Sequence, residues 1–146
     1  IEEVLNHYND KGTNFDYACC IYPTAPFVTK DKLKLAFEKL VQENLDLVYP
    51  IVECSFPVQR AVRITEKKVY MIQPEHLVTR SQDLEPTYHD AGQFYFFNVE
   101  ALMREKKLVT KNTGAIIVDD LEAQDIDNPS DWELAQLKHK LFHGKK

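Results

Sequence analysis

The feature that most constrains the fold is an alternation of short apolar runs with amphipathic helical patterns. Residues 16–22 form an apolar run bounded by turn residues, which is typical of a buried strand, and two prolines in residues 23–27 end it. Residues 33–41 then carry apolar side chains at helical spacing, with Thr29 placed to cap the helix. Because alternating strands and helices are typical of α/β proteins, we predict one three-layer α/β domain over residues 1–146.

The rest of the chain continues this alternation and inserts one hairpin. Two β patterns at residues 59–64 and 69–72 flank a charged turn, which predicts an antiparallel hairpin. The other predicted elements are strands at 46–53, 92–97, 115–118 and 123–127, and helices starting at Ile1 and Val99 and spanning 132–142.

Composition and charge exclude several functional classes. The chain is 44% hydrophobic and 28% charged, which is ordinary for a globular protein, and no apolar run is long enough to span a bilayer. A net charge of −5 argues against nucleic-acid binding, since phosphate contacts need clustered Lys and Arg. Cys19 and Cys20 are adjacent and lie far from Cys54, which predicts free thiols in a reducing cytoplasm rather than disulfides or a zinc site.

The chain begins at Ile1, without Met, inside a helical pattern that has no N-cap. Its four glycines are widely separated, so no Gly-rich phosphate loop can be assembled from them. We expect that a front portion of the natural protein is absent.

An acidic pair near the C-terminal end is the strongest candidate site. On an extended backbone Asp125 and Asp127 project to the same face. Asn128 then suits an N-cap, Pro129 the first helical position, and Asp131 a capping box. Two carboxylates at the end of a strand suit Mg²⁺, which takes one or two protein carboxylates besides water and phosphate oxygens. The alternative is an acidic helix start that stabilises the helix dipole and binds no ligand.

Five motifs, taken in order, resemble those of the cytidylyltransferases that activate nine-carbon acidic sugars (CMP-sugar acid synthetases). The motifs read CIYPTAPF at 20–27, PEH at 74–76, TRSQDL at 79–84, YHDAGQFY at 88–95 and QDID at 124–127. Residues 89–93 read His-Asp-Ala-Gly-Gln where sialic acid enzymes usually have Asn-Gly-Ala, and Tyr22 stands where they usually have Gln. Within the family the motifs therefore favour pseudaminic acid as the sugar.

The resemblance implies a Rossmann-like nucleotidyltransferase fold, truncated at the N-terminus, with an inserted β-hairpin. Residues 54–90 would hold that hairpin and a sugar-binding or dimerisation loop. The implied reaction is Mg²⁺-dependent: CTP and an acidic nonulosonate sugar give the CMP-sugar and pyrophosphate, for bacterial surface or flagellar glycans. The family usually forms homodimers and begins with a Gly-rich, basic segment that holds the CTP phosphates. Since that segment is missing here, we expect the 146-residue chain alone to be inactive.

By resemblance, Asp125 and Asp127 are the metal-binding and catalytic aspartates, and Asp127 could take a proton from a nearby hydroxyl. Arg80 is the candidate for the sugar carboxylate, because a guanidinium binds a carboxylate in bidentate geometry that Lys cannot reproduce. The alternative for Arg80 is a surface ion pair with Asp83.

Other candidate substrate-binding residues come from the strand ends and the polar segment 74–86, which is typical of a binding loop. Gln93 and Tyr95 alternate with Phe94 and Phe96, so both face one side, although core packing is the alternative for Tyr95. We expect the neighbouring phenylalanines to pack in the core rather than stack on a base. The remaining candidates are Tyr22, Gln59, Arg60 and His76, of which His76 could equally be structural.

Two alternatives remain open. One is a sialic, legionaminic or 3-deoxy-octulosonic acid enzyme of the same family. The other is a non-catalytic oligomerisation or sugar-binding module.

Overall fold

The computed structural model describes residues 1–144 and shows a mixed α/β fold. Within that range four α-helices form, as the sequence predicts: α1 (Glu2–Asp10), α2 (Lys30–Gln42), α3 (Val99–Glu105) and α4 (Pro129–His143). In the described part of the chain no helix is both long and apolar enough to cross a bilayer.

Seven strands form in residues 1–144. They are β1 (Tyr17–Ile21), β2 (Leu47–Glu53), β3 (Val62–Thr65), β4 (Lys68–Met71), β5 (Tyr88–Asp90), β6 (Phe94–Asn98) and β7 (Thr113–Val118). Five of them make a sheet with β2 at its centre. Strand β2 pairs in parallel with β7 on one side and antiparallel with β6 and then β5 on the other. Strand β1 pairs antiparallel with β6, while β3 and β4 form a separate hairpin.

Pro50 lies within β2, where that strand changes partner. Leu47 and Val48 pair with β6, whereas Ile51 pairs with β5. Proline has no N–H to donate to a ladder, but its carbonyl oxygen still accepts the N–H of Ala91 at 3.0 Å. The strand therefore tolerates a proline in its interior, since pairing continues through the carbonyl.

Side-chain caps fix the starts of three helices, and those at Thr29 and Asn128 are as predicted. Thr29 and Asn98 each accept a backbone N–H from the first turn of their own helix. Asn128 caps α4, and Asp131 reaches back to the Asn128 N–H at 3.0 Å, which completes the predicted capping box.

The β3–β4 hairpin turns through Glu66 and Lys67, as predicted, and both residues have positive φ angles of 51° and 62°. Two such residues give the turn that matches the natural twist of paired strands. The hairpin carries exposed apolar side chains: Val62, Ile64, Val69, Tyr70 and Ile72.

Helices contribute to apolar clusters on both faces of the main sheet. Leu40 of α2 packs in one cluster with Phe94, and Leu102 of α3 packs in the other with Tyr95 and Phe97. Successive residues of β6 point to opposite faces, so this strand supplies both clusters. The predicted core role of the β6 phenylalanines is confirmed.

The three cysteines are free thiols, as predicted. Burial, together with the neighbouring Cys20, raises the pKa of Cys19 to about 11, so this thiol stays protonated at neutral pH.

The predicted strand at residues 123–127 is wrong. After β7 the chain makes a 3₁₀ turn at Asp120–Glu122 and continues without strand pairing. In this segment, side-chain carboxylates accept hydrogen bonds from backbone N–H groups that a strand would donate to a neighbouring strand. Asp125 accepts the N–H of Ile126, and Asp131 accepts the N–H of Asp127, both at 3.0 Å. Such local bonds compete with a ladder, and Asp is a poor strand former.

We predict that Leu40→Ala lowers the free energy of unfolding by about 3 kcal/mol, because a fully buried leucine leaves a cavity. Leu35→Ala is the matched control on the same helix, since Leu35 is 55% exposed and its truncation should cost little. Urea unfolding followed by circular dichroism measures both variants. Equal stability losses would contradict the packing described for α2.

Candidate functional site

Three strand ends converge at one edge of the main sheet. Strands β1 and β2 both run antiparallel to β6, and β7 runs parallel to β2, so β1, β2 and β7 share one direction. Tyr22 follows β1, Asp125 lies seven residues after the end of β7, and Gln93 immediately precedes the antiparallel β6. These candidate residues therefore belong to the same edge, where open α/β sheets bind ligands.

A cleft of about 310 Å³ lies at this edge and contains Asp125. Ionisable side chains line much of it: His89, Asp90, Asp120, Asp125 and Lys138. Asp127 is not among the lining residues, so the structure does not place the two predicted aspartates together in this cleft.

Asp125 packs over Gly92. A Cβ atom built on Gly92 would lie 3.5 Å from the Asp125 carboxyl carbon, and Gly92 has a φ of +62° that other residues rarely adopt. Asp125 uses Oδ1 to accept the Ile126 N–H at 3.0 Å. Its Oδ2 has no hydrogen-bond partner within residues 1–144.

Asp127 is exposed, and its carboxylate makes no hydrogen bond or ion pair within residues 1–144. Only its backbone is held, through the N–H that donates to Asp131 Oδ2 at 3.0 Å. The described residues contain no cluster of three or more His, Cys, Asp or Glu side chains suited to a metal. Since Mg²⁺ needs only one or two protein carboxylates, the oxygen donors of Asp125 and Asp127 fit it chemically.

Asp90, which lines the cleft, is paired with the buried Tyr95. Tyr95 is 7% exposed and donates its hydroxyl to Asp90 Oδ2 at 2.5 Å, while Asp90 Oδ1 accepts the Gly92 N–H at 2.8 Å. The rings of Tyr22 and Tyr49 lie 5.3 and 5.7 Å from the Tyr95 ring. Burial, and then the bond to Asp90, raise the pKa of Tyr95 well above its usual range.

Sequence reasoning identified Tyr22 and Tyr95 but missed Asp90. The available signal was Asp90 standing two residues before Gly92, because Asp side chains commonly bond the backbone two residues on. Asp90 therefore connects the Gly92 N–H, in the turn before β6, to the hydroxyl of Tyr95.

Gln93 is almost completely buried, at 1% exposure. Its Nε2 donates to the carbonyl oxygen of Glu122 at 2.5 Å, and its Oε1 has no partner within residues 1–144. Lys32 of α2 also contacts Glu122, because its Nζ lies 3.1 Å from Glu122 Oε1. Both contacts fix the 3₁₀ turn that leads to Asp125.

Arg80 and His76 lie in the polar segment and do not line the cleft with Asp125. Arg80 is exposed, and its Nε lies 3.9 Å from Asp83 Oδ2, which is the ion pair anticipated as the alternative to a ligand role. His76 Nδ1 lies 3.4 Å from Thr79 Oγ1.

Gln59 and Arg60 also do not line this cleft, and they tie the start of the hairpin to the polar segment. Gln59 Nε2 donates to the carbonyl oxygen of Glu85 at 3.0 Å, and Arg60 Nη1 donates to Ser81 Oγ at 3.3 Å. Among the described residues, Asp125 is the one predicted candidate that lines this cleft. Tyr22, Gln93 and Tyr95 lie at the same edge of the sheet, and Gln59, Arg60, His76 and Arg80 lie on residues 54–90.

We predict that Tyr95 stays protonated where exposed tyrosines ionise. One of the seven tyrosines should resist ionisation as the pH passes about 10, read from tyrosinate absorbance. Because its folded pKa is raised, Tyr95 contributes stability that is present below about pH 10 and lost as pH rises toward the folded value.

Tyr95→Phe should remove the late-titrating group, while the control Tyr8→Phe, at an exposed position, should leave that group in place. Seven tyrosines that ionise together in the folded protein would contradict this prediction.

Two known proteins similar to this chain share one name. Two pseudaminic acid cytidylyltransferases of Campylobacter jejuni subsp. jejuni, serotypes O:2 and O:23/36, are 37% and 36% identical to it over 144 residues, or 98% of the chain. The chain spans 62% of the length of each. No protein-family model matches it.

Two further relatives are more distant. A Helicobacter pylori protein named pseudaminic acid cytidylyltransferase and UDP-2,4-diacetamido-2,4,6-trideoxy-beta-L-altropyranose hydrolase is 33% identical over 128 residues, covering 87% of this chain and 25% of the relative. A Campylobacter coli protein named post-translational flagellin modification protein B is 25% identical over 134 residues, covering 90% of this chain and 57% of the relative. The resemblance predicted from the motifs is confirmed: over nearly its whole length the chain is homologous to part of the pseudaminic acid cytidylyltransferases.

Proposed function

We propose that the protein containing this chain transfers CMP from CTP to pseudaminic acid, giving the CMP-sugar and pyrophosphate. The observation that carries the proposal is the 37% identity over 98% of the chain to a protein of that name. Because the chain spans 62% of that relative and its glycines form no phosphate loop, catalysis would need residues besides these 146.

The Rossmann-like nucleotidyltransferase fold is part of this proposal. It is supported by the shared direction of β1, β2 and β7 and by helices packed against both faces of the sheet. The cleft at the carboxyl ends of these strands is then the nucleotide and sugar site.

Asp125 and Asp127 would hold Mg²⁺ through their exposed carboxylate oxygens. Bound Mg²⁺ would supply positive charge beside the phosphate oxygens and lower the pKa of a nearby hydroxyl. Asp127 would also accept the proton of the attacking sugar hydroxyl in this scheme, since its carboxylate makes no hydrogen bond or ion pair with the described residues.

Arg80 would bind the sugar carboxylate through its guanidinium fork. Its contact with Asp83 is long at 3.9 Å and solvent-exposed, so exchange for a substrate carboxylate costs little. Tyr22, Gln93 and Tyr95 would border the sugar from the sheet edge. The group on residues 54–90, namely Gln59, Arg60 and His76, would reach the sugar from the same subunit or from a partner.

A homodimer formed through the β3–β4 hairpin is also proposed. Ile64 and Val69 are 75% and 64% exposed, and an apolar hairpin surface of this kind marks an interaction site. A bacterial surface or flagellar glycan is the proposed destination of the product, supported by the flagellin modification relative. Free thiols fit a cytoplasmic reaction.

We predict that Asp125→Asn and Asp127→Asn each lower CMP-sugar formation by the complete protein about 100-fold, because each removes a charge from the reacting centre. Pyrophosphate release from CTP and pseudaminic acid measures the rate, and mass spectrometry identifies the product. Glu133→Gln, an exposed change in the next helix, is the control and should keep the wild-type rate.

Full activity in the double Asp125→Asn/Asp127→Asn variant would refute the proposed mechanism. Turnover of sialic, legionaminic or 3-deoxy-octulosonic acid without turnover of pseudaminic acid would instead support another member of the family.

We predict that Ile64→Glu weakens dimerisation of the complete protein at least about tenfold, because it places a charge in the apolar contact. Sedimentation equilibrium measures the dissociation constant. Leu35→Glu, at an exposed leucine of α2, is the control. A dimer unaffected by Ile64→Glu would exclude the hairpin as its interface.

A further inference from the structure

Lys138 of α4 is a nearly buried cation in the wall of the cleft that contains Asp125. Its side chain is 11% exposed. Its Nζ lies 2.8 Å from the carbonyl oxygens of both Asp120 and Ala123, and 3.5 Å from Asp120 Oδ1.

Two of these contacts are hydrogen bonds to backbone carbonyl oxygens, and the third is an ion pair with the exposed Asp120 carboxylate. A lysine ammonium has three N–H donors and no acceptor, so two of its donors are used by the backbone. The geometry therefore gives Lys138 a structural contact with the backbone at two points.

The two carbonyls bracket the 3₁₀ turn, and Ala123 precedes Asp125 by two residues. Strand pairing is absent from residues 119–127, so no ladder fixes the position of this segment. Gln93 and Lys32 hold Glu122 within the turn, whereas Lys138 holds both of its ends.

The same helix holds the backbone of the other aspartate. Asp131 accepts the Asp127 N–H, and Lys138 follows it by seven residues. Residues seven apart lie on one face of a helix, about two turns from each other. One face of α4 thus contacts the chain on both sides of Asp125.

We propose that Lys138 is a positioning residue that holds residues 120–125 so that Asp125 faces the cleft. The inference rests on the proposed function in taking Asp125 as a ligand of Mg²⁺. Partners that orient metal ligands commonly change metal affinity 10- to 100-fold when removed, as an order of magnitude.

Lys138→Met tests this in the complete protein, because methionine keeps an unbranched apolar stem and removes the three donors. Hydrogen exchange in peptides covering residues 119–127 should become about tenfold faster, while exchange in the β3–β4 hairpin stays unchanged. The Mg²⁺ concentration for half-maximal CMP-sugar formation should rise about tenfold.

Lys140→Met is the matched control, since Lys140 is exposed on the same helix, and it should change neither quantity. Lys138→Arg should keep part of the slow hydrogen exchange at residues 119–127 and part of the Mg²⁺ affinity, because a guanidinium can still donate to two carbonyls. Unchanged exchange at 119–127 in a folded Lys138→Met protein would overturn the proposal, and so would an equal increase throughout the chain. Should Lys138→Met fail to fold, Lys138→Gln is measured with the same two outcomes.

The two proposals fail separately. If Asp125→Asn leaves the Mg²⁺ requirement unchanged, the metal role of Asp125 is wrong, and hydrogen exchange alone then decides whether Lys138 holds the segment.

Discussion

The pairing of β2 on both of its sides determines where the candidate residues at the sheet edge lie, namely Tyr22, Gln93, Tyr95 and Asp125. Its parallel partner β7 and its antiparallel partners β6 and β5 leave β2 no free edge. This arrangement brings the end of β1 and the end of β7 to one edge of the sheet, beside the start of β6. Tyr22, Asp90, Tyr95 and the turn after β7 lie at that edge. Each belongs to or adjoins a strand that pairs with β2 directly or through β6.

Local chemistry was sufficient to predict much of the fold. A helix cap depends only on residues within one turn, so a helix start can be predicted from the local sequence. The caps at Thr29, Asn98 and Asn128 are examples. The strand predicted at 123–127 failed for a different reason. Two-residue alternation alone cannot show whether a partner strand exists, or whether nearby carboxylates take the backbone donors instead.

The candidate site was only partly visible in the sequence. The ordered motifs predicted the resemblance to the pseudaminic acid cytidylyltransferases, and they included Asp125 and Tyr95. The contacts that hold these residues join distant parts of the chain: Gln93 meets Glu122, and Lys138 meets Asp120. A lysine in an amphipathic helix usually extends into solvent, so no pattern distinguishes the buried Lys138 from exposed Lys140.

Asp131 and Lys138 share one face of α4, and this has a mechanical consequence. A helix is stiff over two turns, so the two anchoring side chains translate together when it moves. A ligand that shifted α4 along its axis would therefore move the segments before and after Asp125 in the same direction. The distances of Asp125 and Asp127 from the sheet would then change together, because the segments on both sides of Asp125 are bonded to the same helix.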